Sequence, residues 1–324
     1  MSERNSSITD IPGILVGQVE DPAALTGCSV VICKEGAIGG VDQRGGAPGT
    51  RETDALRPMH LVEKVHAVVL AGGSAYGLDA SSGVMRWLEE QGVGFDTGVA
   101  KVPIVSSAIL FDLAVGSPSI RPDAEMGYRA CQRASQAPPQ SGNYGAGCGA
   151  TVGKILGMSY AMKGGIGSAS IQLAGQLRVA ALVAVNAFGD ILDPTTNKLI
   201  AGARNPHPTA TPFADTLEMM KILSSPSQFS SPHNTVIGVV ATNARLTKEQ
   251  ANKVAQMAHN GLARTIRPSH TMFDGDTLFC LAVGDLEADV STIGAFAAEA
   301  VSQAILNAIH SAQSISGIPA ALSL

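Results

Sequence analysis

The sequence is poor in charged and aromatic residues and contains no long basic or hydrophobic run. Charged residues make up 15% of its 324 residues and aromatic residues 4%, whereas about a quarter of a globular chain is usually charged. The net charge is −5 and no basic stretch is interleaved with aromatics, which argues against a nucleic-acid-binding protein. The longest notable apolar run, at 179–185, is far too short to span a bilayer, so we expect no membrane partner.

Targeting and metal-binding signals are also missing. The N-terminal segment lacks the basic region and apolar stretch of a signal peptide, so we expect a cytoplasmic protein. The five cysteines form no C-x-x-C pair, and no histidine stands near them at metal-ligand spacing. We therefore expect reduced, mostly buried thiols, no metal ion and no organic cofactor.

Small residues take the place of the missing charges and rings, with 36 glycines in the chain. Short apolar runs predict strands at 13–18, 27–33, 66–71, 166–173, 177–186, 235–242 and 277–284, and helical patterns lie at 74–91, 123–134, 247–264 and 289–311. Because two of these strands follow each other without a helix, the pattern argues against a Rossmann fold and favours helices packed on mixed sheets. The small-residue composition also favours an oligomer, and we expect one domain over residues 1–324.

Two glycine-rich segments resemble phosphate-binding loops without matching them. At 145–154 the first glycine of a Walker A loop is replaced by Cys148, and Lys154 is followed by Ile155. The segment 70–77 lacks the G-x-G-x-x-G spacing. We interpret both as backbone turns near a site and expect no bound nucleotide.

The junction of Asn234 and Thr235 is where a proline- and serine-rich linker, 205–234, meets a clean strand. A hydroxyl residue that begins a strand behind a dispensable loop is a position where self-cleaving hydrolases carry their nucleophile. Cleavage before Thr235 would free an α-amine whose ordinary pKa, roughly 7.7–8.0, suits a base at neutral pH. Taken alone, the pair is more typical of a threonine that merely begins a strand.

Four other polar residues fit either a site or an ordinary loop. Lys154 is an exposed loop charge or a cation held in a cleft, where it would lower the pKa of a neighbouring amine. Asn186 ends an apolar strand, as a donor to an oxyanion or as a cap of the next turn. Asp274 and Asp276 precede a strand, so both carboxylates could face one site, because residues i and i+2 of an extended segment point the same way. The alternative for them is a solvated Asp-Gly turn.

A loop rich in glycine and charge lies at 44–54. It carries Arg44, Arg51, Glu52 and Asp54 around three glycines and a proline. Its sequence is typical of a structural Ω-loop with internal ion pairs, or of a loop at a substrate channel or interface.

Six segments, taken in order, resemble the P1 family of peptidases, which contains L-aminopeptidase/D-esterases, β-aminopeptidases and nylon-oligomer hydrolases. They are RGGAPGTRETD, LAGGSAYGLDA, GAGCGATVGK, VAVNAFGDILD, NTVIGVVATNA and HTMFDGDTLF, spread from about residue 8 to residue 310. The resemblance implies an α+β fold, a four-layer αββα sandwich similar to N-terminal-nucleophile hydrolases but differently connected. It also implies a tetramer, and a precursor that cuts itself between Asn234 and Thr235 into an α chain 1–234 and a β chain 235–324.

The same resemblance assigns roles to the candidate residues. Thr235 becomes the nucleophile, Lys154 matches a site lysine of the nylon-hydrolase branch, and Asn186 matches the site asparagine. Tyr76 matches the tyrosine that accompanies this asparagine near the oxyanion. These matches imply that Tyr76 and Asn186 donate hydrogen bonds to the oxyanion.

Two departures separate this chain from the aminopeptidase branch. That branch has a Gly-Ser junction and a Ser-x-Glu pair, where this chain has Asn234–Thr235 and Asp274-Gly-Asp276. Both features are similar to the nylon-oligomer branch. The two aspartates would orient the Thr235 amine and could bind a cationic substrate amine.

The resemblance implies a self-processing hydrolase that acts on small linear amides or peptides with a free amino end. Its mechanism would be an acyl-enzyme on a threonine, without a cofactor. An acyltransferase of the ornithine-acetyltransferase type, which shares the acyl-threonine intermediate, is the alternative. A non-catalytic, uncleaved binding protein is a third hypothesis.

Overall fold

The computed structural model describes residues 6–207, 211–223, 234–315 and 317–321. Within them the strands are β1 (Leu15–Asp21), β2 (Thr26–Gln43), β3 (Thr50–Arg51), β4 (Lys64–Ala71), β5 (Phe95–Asp96), β6 (Lys101–Val102), β7 (Val105–Ile109), β8 (Thr151–Val152), β9 (Met162–Lys163), β10 (Gly165–Gln172), β11 (Arg178–Asn186), β12 (Asp190–Asp193), β13 (Lys198–Ala201), β14 (Thr235–Ala244), β15 (Ile266–Arg267) and β16 (Thr277–Leu286). The α-helices are α1 (Ala80–Glu90), α2 (Ala124–Gln132), α3 (Thr216–Ile222), α4 (Lys248–Thr265) and α5 (Val290–Ser311). Of the predicted linker 205–234, residues 208–210 and 224–233 lie outside the described residues.

Nine strands form one mixed sheet, and β2 joins its two halves. The strand order is β10-β11-β14-β16-β2-β4-β7-β3, and β1 also pairs with β2. The first part of β2 pairs with β1 and β4, whereas its last part, from Ile38 to Gln43, pairs with β16. A register shift between Ile32 and Ala37, with Gly36 at φ +77°, separates the two parts. Such an irregularity bends a strand, which allows one strand to serve both halves.

The two halves of the sheet lie face to face. Val68 and Leu70 of β4 share an apolar cluster with Leu182 of β11 and with Ile237 and Val239 of β14. Because side chains alternate along a strand, the other face of each half is free to pack against helices. Helices α4 and α5 cover the half that contains β11 and β14, and α1 and α2 cover the half that contains β4. The predicted four-layer αββα sandwich of the α+β class is therefore confirmed, with one continuous sheet supplying both inner layers.

Helix α5 is long and apolar enough to cross a membrane by length and composition alone. In the fold it packs against β10, β11 and α4, and 61% of its most apolar window is buried. Core helices of soluble proteins have the same properties. Its apolar stripe therefore faces the interior of the sandwich.

The predicted elements are present with shifted ends, and the differences have local causes. Helix α1 begins only at Ala80, because the residues before it, Ser74–Asp79, form a 3₁₀ turn. Thr247 and Gln250 form the expected capping box of α4. The sequence does not reveal β7, whose VSSAI segment places two serines in a fully buried strand.

Candidate active site

The candidate site forms where β11 ends and β14 and β16 begin. Asn186, the last residue of β11, pairs with Thr235, the first residue of β14. Strands β14 and β16 are parallel, and an isolated bridge joins Asn234 to Asp274 just before they begin. The strand register therefore gathers residues that are distant in sequence at one edge of the sheet.

Thr235 lies against the carbonyl group of the residue before it. Its hydroxyl donates to the carbonyl oxygen of Asn234, which also accepts a hydrogen bond of 3.0 Å from Gly275 N. Asn234 N donates to the carbonyl oxygen of Phe273 at 3.0 Å. A Cβ at position 275 would lie 2.9 Å from Thr235 Oγ1 and 2.5 Å from the carbonyl oxygen of Ala47, so this close approach requires glycine.

Asp276 is fixed between the main chain of β14 and a histidine. Its Oδ1 accepts from Val236 N at 2.9 Å, and its Oδ2 accepts from His270 N at 3.0 Å and contacts His270 Nδ1 at 2.8 Å. His270 has a φ of +59°, and its ring packs edge-on against His259 at 4.9 Å. A non-glycine residue in this conformation costs energy, which the surrounding structure must supply. Sequence reasoning missed His270, since no spacing singled it out.

Asp274 is as buried as Asp276, at 2% and 1% exposure. Its Oδ2 accepts from Thr271 N at 2.9 Å and from Thr271 Oγ1 at 2.5 Å, and Phe188 N approaches Oδ1 at 3.4 Å. Burial, followed by the charge of Asp276, raises the pKa of Asp274 to about 6. The alternative of a solvated Asp-Gly turn is therefore wrong.

Lys154 is buried, with only 1% of its surface exposed, so it is not a solvated loop charge. Its Nζ donates to the carbonyl oxygen of Asn186 at 3.2 Å and to Oδ1 of the same residue at 2.8 Å. Burial lowers the pKa of Lys154 to about 7, although the charges of Asp274 and Asp112 act in the opposite direction. A neutral amine has two N–H groups, which these bonds use, and retains a lone pair that can accept a proton.

Asn186 connects Lys154 to the rest of the site and does not cap the following turn. Its Oδ1 accepts from Thr151 N at 3.0 Å as well as from Lys154, and its Nδ2 donates to the carbonyl oxygen of Phe111 at 3.0 Å. These bonds orient the amide. One Nδ2 hydrogen remains without an acceptor among the described residues.

A second buried lysine, Lys163, lies close to Lys154 and was not predicted. Its Nζ donates to the carbonyl oxygens of Gly147, Ala150 and Gly164 at 2.8–3.0 Å. Burial also lowers the pKa of Lys163 to about 7. The glycine-rich segment 145–154 could have indicated it, because turns without side chains leave their carbonyls open to such a donor.

Asp112 is a third buried charge that sequence reasoning missed. It accepts from Thr26 Oγ1 at 2.7 Å and from Gly73 N at 2.7 Å. Burial raises its pKa, and its charge acts on both buried lysines. No motif contains it, which is why the sequence did not point to it.

Tyr76 is not gathered with the other predicted residues. It lies in the 3₁₀ turn before α1, is 62% exposed, and stacks over the guanidinium of Arg121 at 3.8 Å. No described contact joins its hydroxyl to Thr235 or Asn186. Its role as an oxyanion donor stays a prediction.

Comparison with known proteins identifies the family. The model of peptidase family S58 matches residues 6–321. The chain belongs to this family. An uncharacterised aminopeptidase of Mycobacterium tuberculosis is 43% identical, over 97% of this chain and 96% of that protein. A 6-aminohexanoate-oligomer endohydrolase of a Kocuria species is 31% identical, over 92% of this chain and 84% of that protein.

Two solved structures share the fold. A β-aminopeptidase of a Burkholderia species gives a TM-score of 0.69 at 22% identity, with 98% of this chain and 90% of that chain covered. An L-aminopeptidase D-Ala-esterase/amidase of Ochrobactrum anthropi, described as a variant of the Ntn-hydrolase fold, gives 0.70 at 18% identity with the same coverage. The predicted resemblance is confirmed. As a member of peptidase family S58, the chain is a hydrolase of amide bonds, which excludes the non-catalytic alternative. The acyltransferase alternative stays a prediction.

In this S58 hydrolase the glycine-rich loop after β2 supports the two aspartates. Ala47 N donates to the carbonyl oxygen of Asp274 at 2.8 Å, and Arg44 N to that of Asp276 at 3.0 Å. A Cβ on Gly45 would lie 2.0 Å from the Asp274 carbonyl oxygen, so the approach requires a glycine.

The charges of this loop do not pair with one another among the described residues. Arg44 pairs with Asp42 at 2.6 Å, and Arg51 donates to Ser82 Oγ at 3.0 Å. The prediction of internal ion pairs is therefore wrong. The backbone contacts instead place the loop beside the site.

The thiols of this S58 hydrolase are poor nucleophiles. All five cysteines are buried and unpaired, and burial raises the pKa of Cys148, in the glycine-rich segment, to about 11. Within the described ranges no three His, Cys, Asp or Glu side chains come together as metal ligands.

Proposed function

We propose that this hydrolase cuts its own Asn234–Thr235 bond and then uses Thr235 as an N-terminal nucleophile. The observation that carries the proposal is the contact between the Thr235 hydroxyl and the Asn234 carbonyl, whose oxygen also accepts from Gly275 N at 3.0 Å. A main-chain N–H aimed at a carbonyl oxygen stabilises the charge that develops there when a nucleophile attacks.

In self-cleavage, Thr235 Oγ attacks the Asn234 carbonyl carbon and closes a five-membered ring. The amine of Lys154, with a pKa near 7, accepts the hydroxyl proton and returns it to the departing Thr235 nitrogen. The C–N bond breaks and an ester to Oγ remains. Water then opens this ester, which leaves a carboxylate on Asn234 and a free amine on Thr235.

In turnover, the same oxygen attacks the carbonyl carbon of a substrate amide. The Thr235 amine or Lys154 takes the hydroxyl proton and delivers it to the leaving nitrogen, so that an acyl-threonine forms. Water hydrolyses this ester and regenerates the hydroxyl. The remaining Nδ2 hydrogen of Asn186, with Tyr76 if its side chain turns inward, would stabilise the oxyanion, at roughly 2.7–4 kcal/mol for a donor of this kind.

Small linear amides or peptides with a free amino end are the substrates that we propose. The relatives named aminopeptidase and 6-aminohexanoate-oligomer endohydrolase act, by their names, on chains of amino acids. The buried carboxylates of Asp274 and Asp276 would favour a cationic amine near Thr235 and orient the amine of Thr235 itself.

Intact mass analysis of the purified, aged protein tests this proposal. We expect two chains, with the second beginning at Thr235, and hydrolysis of amino-acid amides by the cut protein. Thr235→Ala removes the nucleophile. Thr235→Ser keeps a hydroxyl at this position and is the matched control. A single uncut chain of 324 residues in an aged sample would contradict the proposal.

A further inference from the structure

The carboxylate of Asp276 joins two main-chain segments that meet at the candidate site. Its Oδ1 accepts a hydrogen bond of 2.9 Å from Val236 N, in the residue directly after Thr235. The parallel pairing of β14 with β16 begins only at Ile237 and Thr277. The side chain of Asp276 thus takes the place of a main-chain acceptor at the start of β14, and the position of Thr235 depends in part on where this carboxylate is held.

His270 holds the other oxygen of the carboxylate with two donors. Its main-chain N donates to Asp276 Oδ2 at 3.0 Å, and its ring Nδ1 lies 2.8 Å from the same oxygen. Because a carboxylate oxygen only accepts, Nδ1 carries the hydrogen and the ring donates. Nε2 is buried and has no hydrogen-bond partner among the described residues, so the ring bonds the site through Nδ1.

The ring of His270 is held in this orientation by a second histidine, His259 of α4. The two rings meet edge-on, with their centroids 4.9 Å apart. His259 is fully buried, and its Nε2 donates to the carbonyl oxygen of Asp42 at 2.9 Å. Burial lowers the pKa of His259 to about 4, so this ring is neutral at pH 7 and adds no positive charge beside His270.

We propose that His270 is a positioning residue for the nucleophile of this hydrolase. By holding one oxygen of Asp276, it keeps the other oxygen on Val236 N. The start of β14 then presents the Thr235 hydroxyl for attack. This role rests on the proposed function, in which Thr235 is the nucleophile.

The role concerns geometry and not proton transfer. No described contact joins His270 to Thr235 or to Asn234, so the ring acts on the reacting atoms only through Asp276. Its main chain has a φ of +59°, a conformation that persists in a non-glycine residue only where the surrounding contacts impose it. A reacting group that is displaced by about 1 Å can lose about a hundredfold in rate.

Two substitutions separate the ring of His270 from its main chain. Asparagine and glycine both adopt a positive φ more readily than other residues, so His270→Asn and His270→Gly keep the main-chain donor. The Nδ2 of asparagine can take the place of Nδ1, whereas glycine leaves Asp276 without a side-chain donor. His270→Asn is therefore the matched control for loss of the ring.

The rate of self-cleavage is the first measurement, because this step needs no substrate and reports the placement of the nucleophile. We expect His270→Gly to be cut about tenfold more slowly or worse, as when a hydrogen bond to a charged group is lost. His270→Asn should stay closer to the unchanged chain than to the glycine variant. Equal rates in the two variants overturn the positioning role.

Hydrogen exchange of the Val236 amide, measured by NMR in the uncut Thr235→Ala background, is the second measurement. In His270→Gly this amide should exchange faster relative to amides further along β14, and in His270→Asn it should stay protected. A merely structural role would instead lower the free energy of unfolding, measured with urea, and speed exchange along the whole strand.

The outcomes separate the positioning role from the proposed function. A glycine variant that does not fold, or one that is cut slowly while its Val236 amide stays protected, overturns the positioning role alone. So does a chain that is cut at the same rate with and without the ring. An unchanged chain that is never cut overturns the proposed function, and the positioning role with it.

Discussion

Lys154 and Lys163 are two buried lysines in one region that differ in what their amines contact. Burial lowers the pKa of each to about 7. Lys163 donates to three main-chain carbonyls, which uses all three hydrogens of an ammonium group. Among the described residues, Lys154 donates to the two oxygens of Asn186, which a neutral amine can satisfy.

The difference teaches that burial alone does not mark a catalytic amine. An amine whose every hydrogen is bonded to fixed carbonyls holds a turn together and has no free capacity for proton transfer. An amine with two bonds can hold or release a proton without leaving an acceptor unpaired. By this measure we predict that Lys154 is the proton carrier and that Lys163 has a structural role.

Removal of the nucleophile has the largest expected effect and defines the background for both lysines. Thr235→Ala should remain one chain and show no turnover, because no oxygen is left to form the ester. Thr235→Ser should still be cut, more slowly. Mass analysis and an amide-hydrolysis assay measure both, and normal turnover by the alanine variant would exclude Thr235 as the nucleophile.

Exchange of each lysine for methionine separates the two roles. Lys154→Met should fold but lose about two orders of magnitude or more in self-cleavage, as expected when a general base is removed. Lys163→Met should be less stable by roughly 3 kcal/mol or more, because three buried carbonyls lose their donor. Urea unfolding in the uncut Thr235→Ala background measures stability. A stable Lys163→Met variant with no self-cleavage would reverse the assignment.

The pH dependence of self-cleavage tests the state of Lys154 before any free Thr235 amine exists. Below pH 7 the rate should fall up to about tenfold per unit, because protonated Lys154 cannot accept the hydroxyl proton. Lys154→Arg, which stays charged, should not be cut between pH 6 and pH 9. A rate that is flat between pH 5 and pH 8 would remove Lys154 from the reaction.

The same pKa values predict how stability changes with pH. Each folded lysine has a pKa of about 7 against an ordinary value of 10.5, so the unfolded chain binds more protons between these values. The unfolding free energy should therefore rise from pH 7 to pH 9, by roughly 2 kcal/mol per lysine. Urea unfolding of Thr235→Ala, with and without Lys154→Met, should show a smaller rise in the double variant.

The smallest expected effect comes from Asp112, whose charge acts on both lysines. Asp112→Asn retains an oxygen that can accept from Gly73 N and gains an amide NH2 that can donate to Thr26 Oγ1, but it removes the negative charge that favours the ammonium forms. The pH midpoint of self-cleavage should move to a lower value. Movement to a higher pH would show that Asp112 does not stabilise the cationic form of Lys154.

Sequence reasoning predicted the elements that have strong periodicity and the residues that stand in motifs. The apolar strands, the capping box at Thr247 and the pairs around Asp274 and Asn186 were all visible in short windows. The order of the layers in the fold came from the resemblance of six segments to a known family, because a short stretch of sequence does not reveal how layers stack.

The rest could not be predicted because it depends on contacts between distant segments. Lys163 and Asp112 become buried partners only when the glycine-rich turns and β7 come together. His270 contacts Asp276 because its main chain has a positive φ, a conformation that could not be predicted from the residue type. Tyr76 was predicted by resemblance alone, and its exposure follows from the 3₁₀ turn that delays the start of α1.

The strand order has a consequence for the molecule if the proposed cleavage at Asn234–Thr235 takes place. Strands β14 and β16 of the fragment 235–324 lie between β11 and β2 of the fragment 1–234. The two fragments would thus be interleaved in one sheet, and neither contains a complete hydrophobic core. Unfolding would set free two separate chains, and their reassembly would be a bimolecular reaction that depends on concentration. Cleavage would convert a single chain, whose refolding is unimolecular, into a two-chain assembly. The lifetime of this assembly would be set by its rate of unfolding.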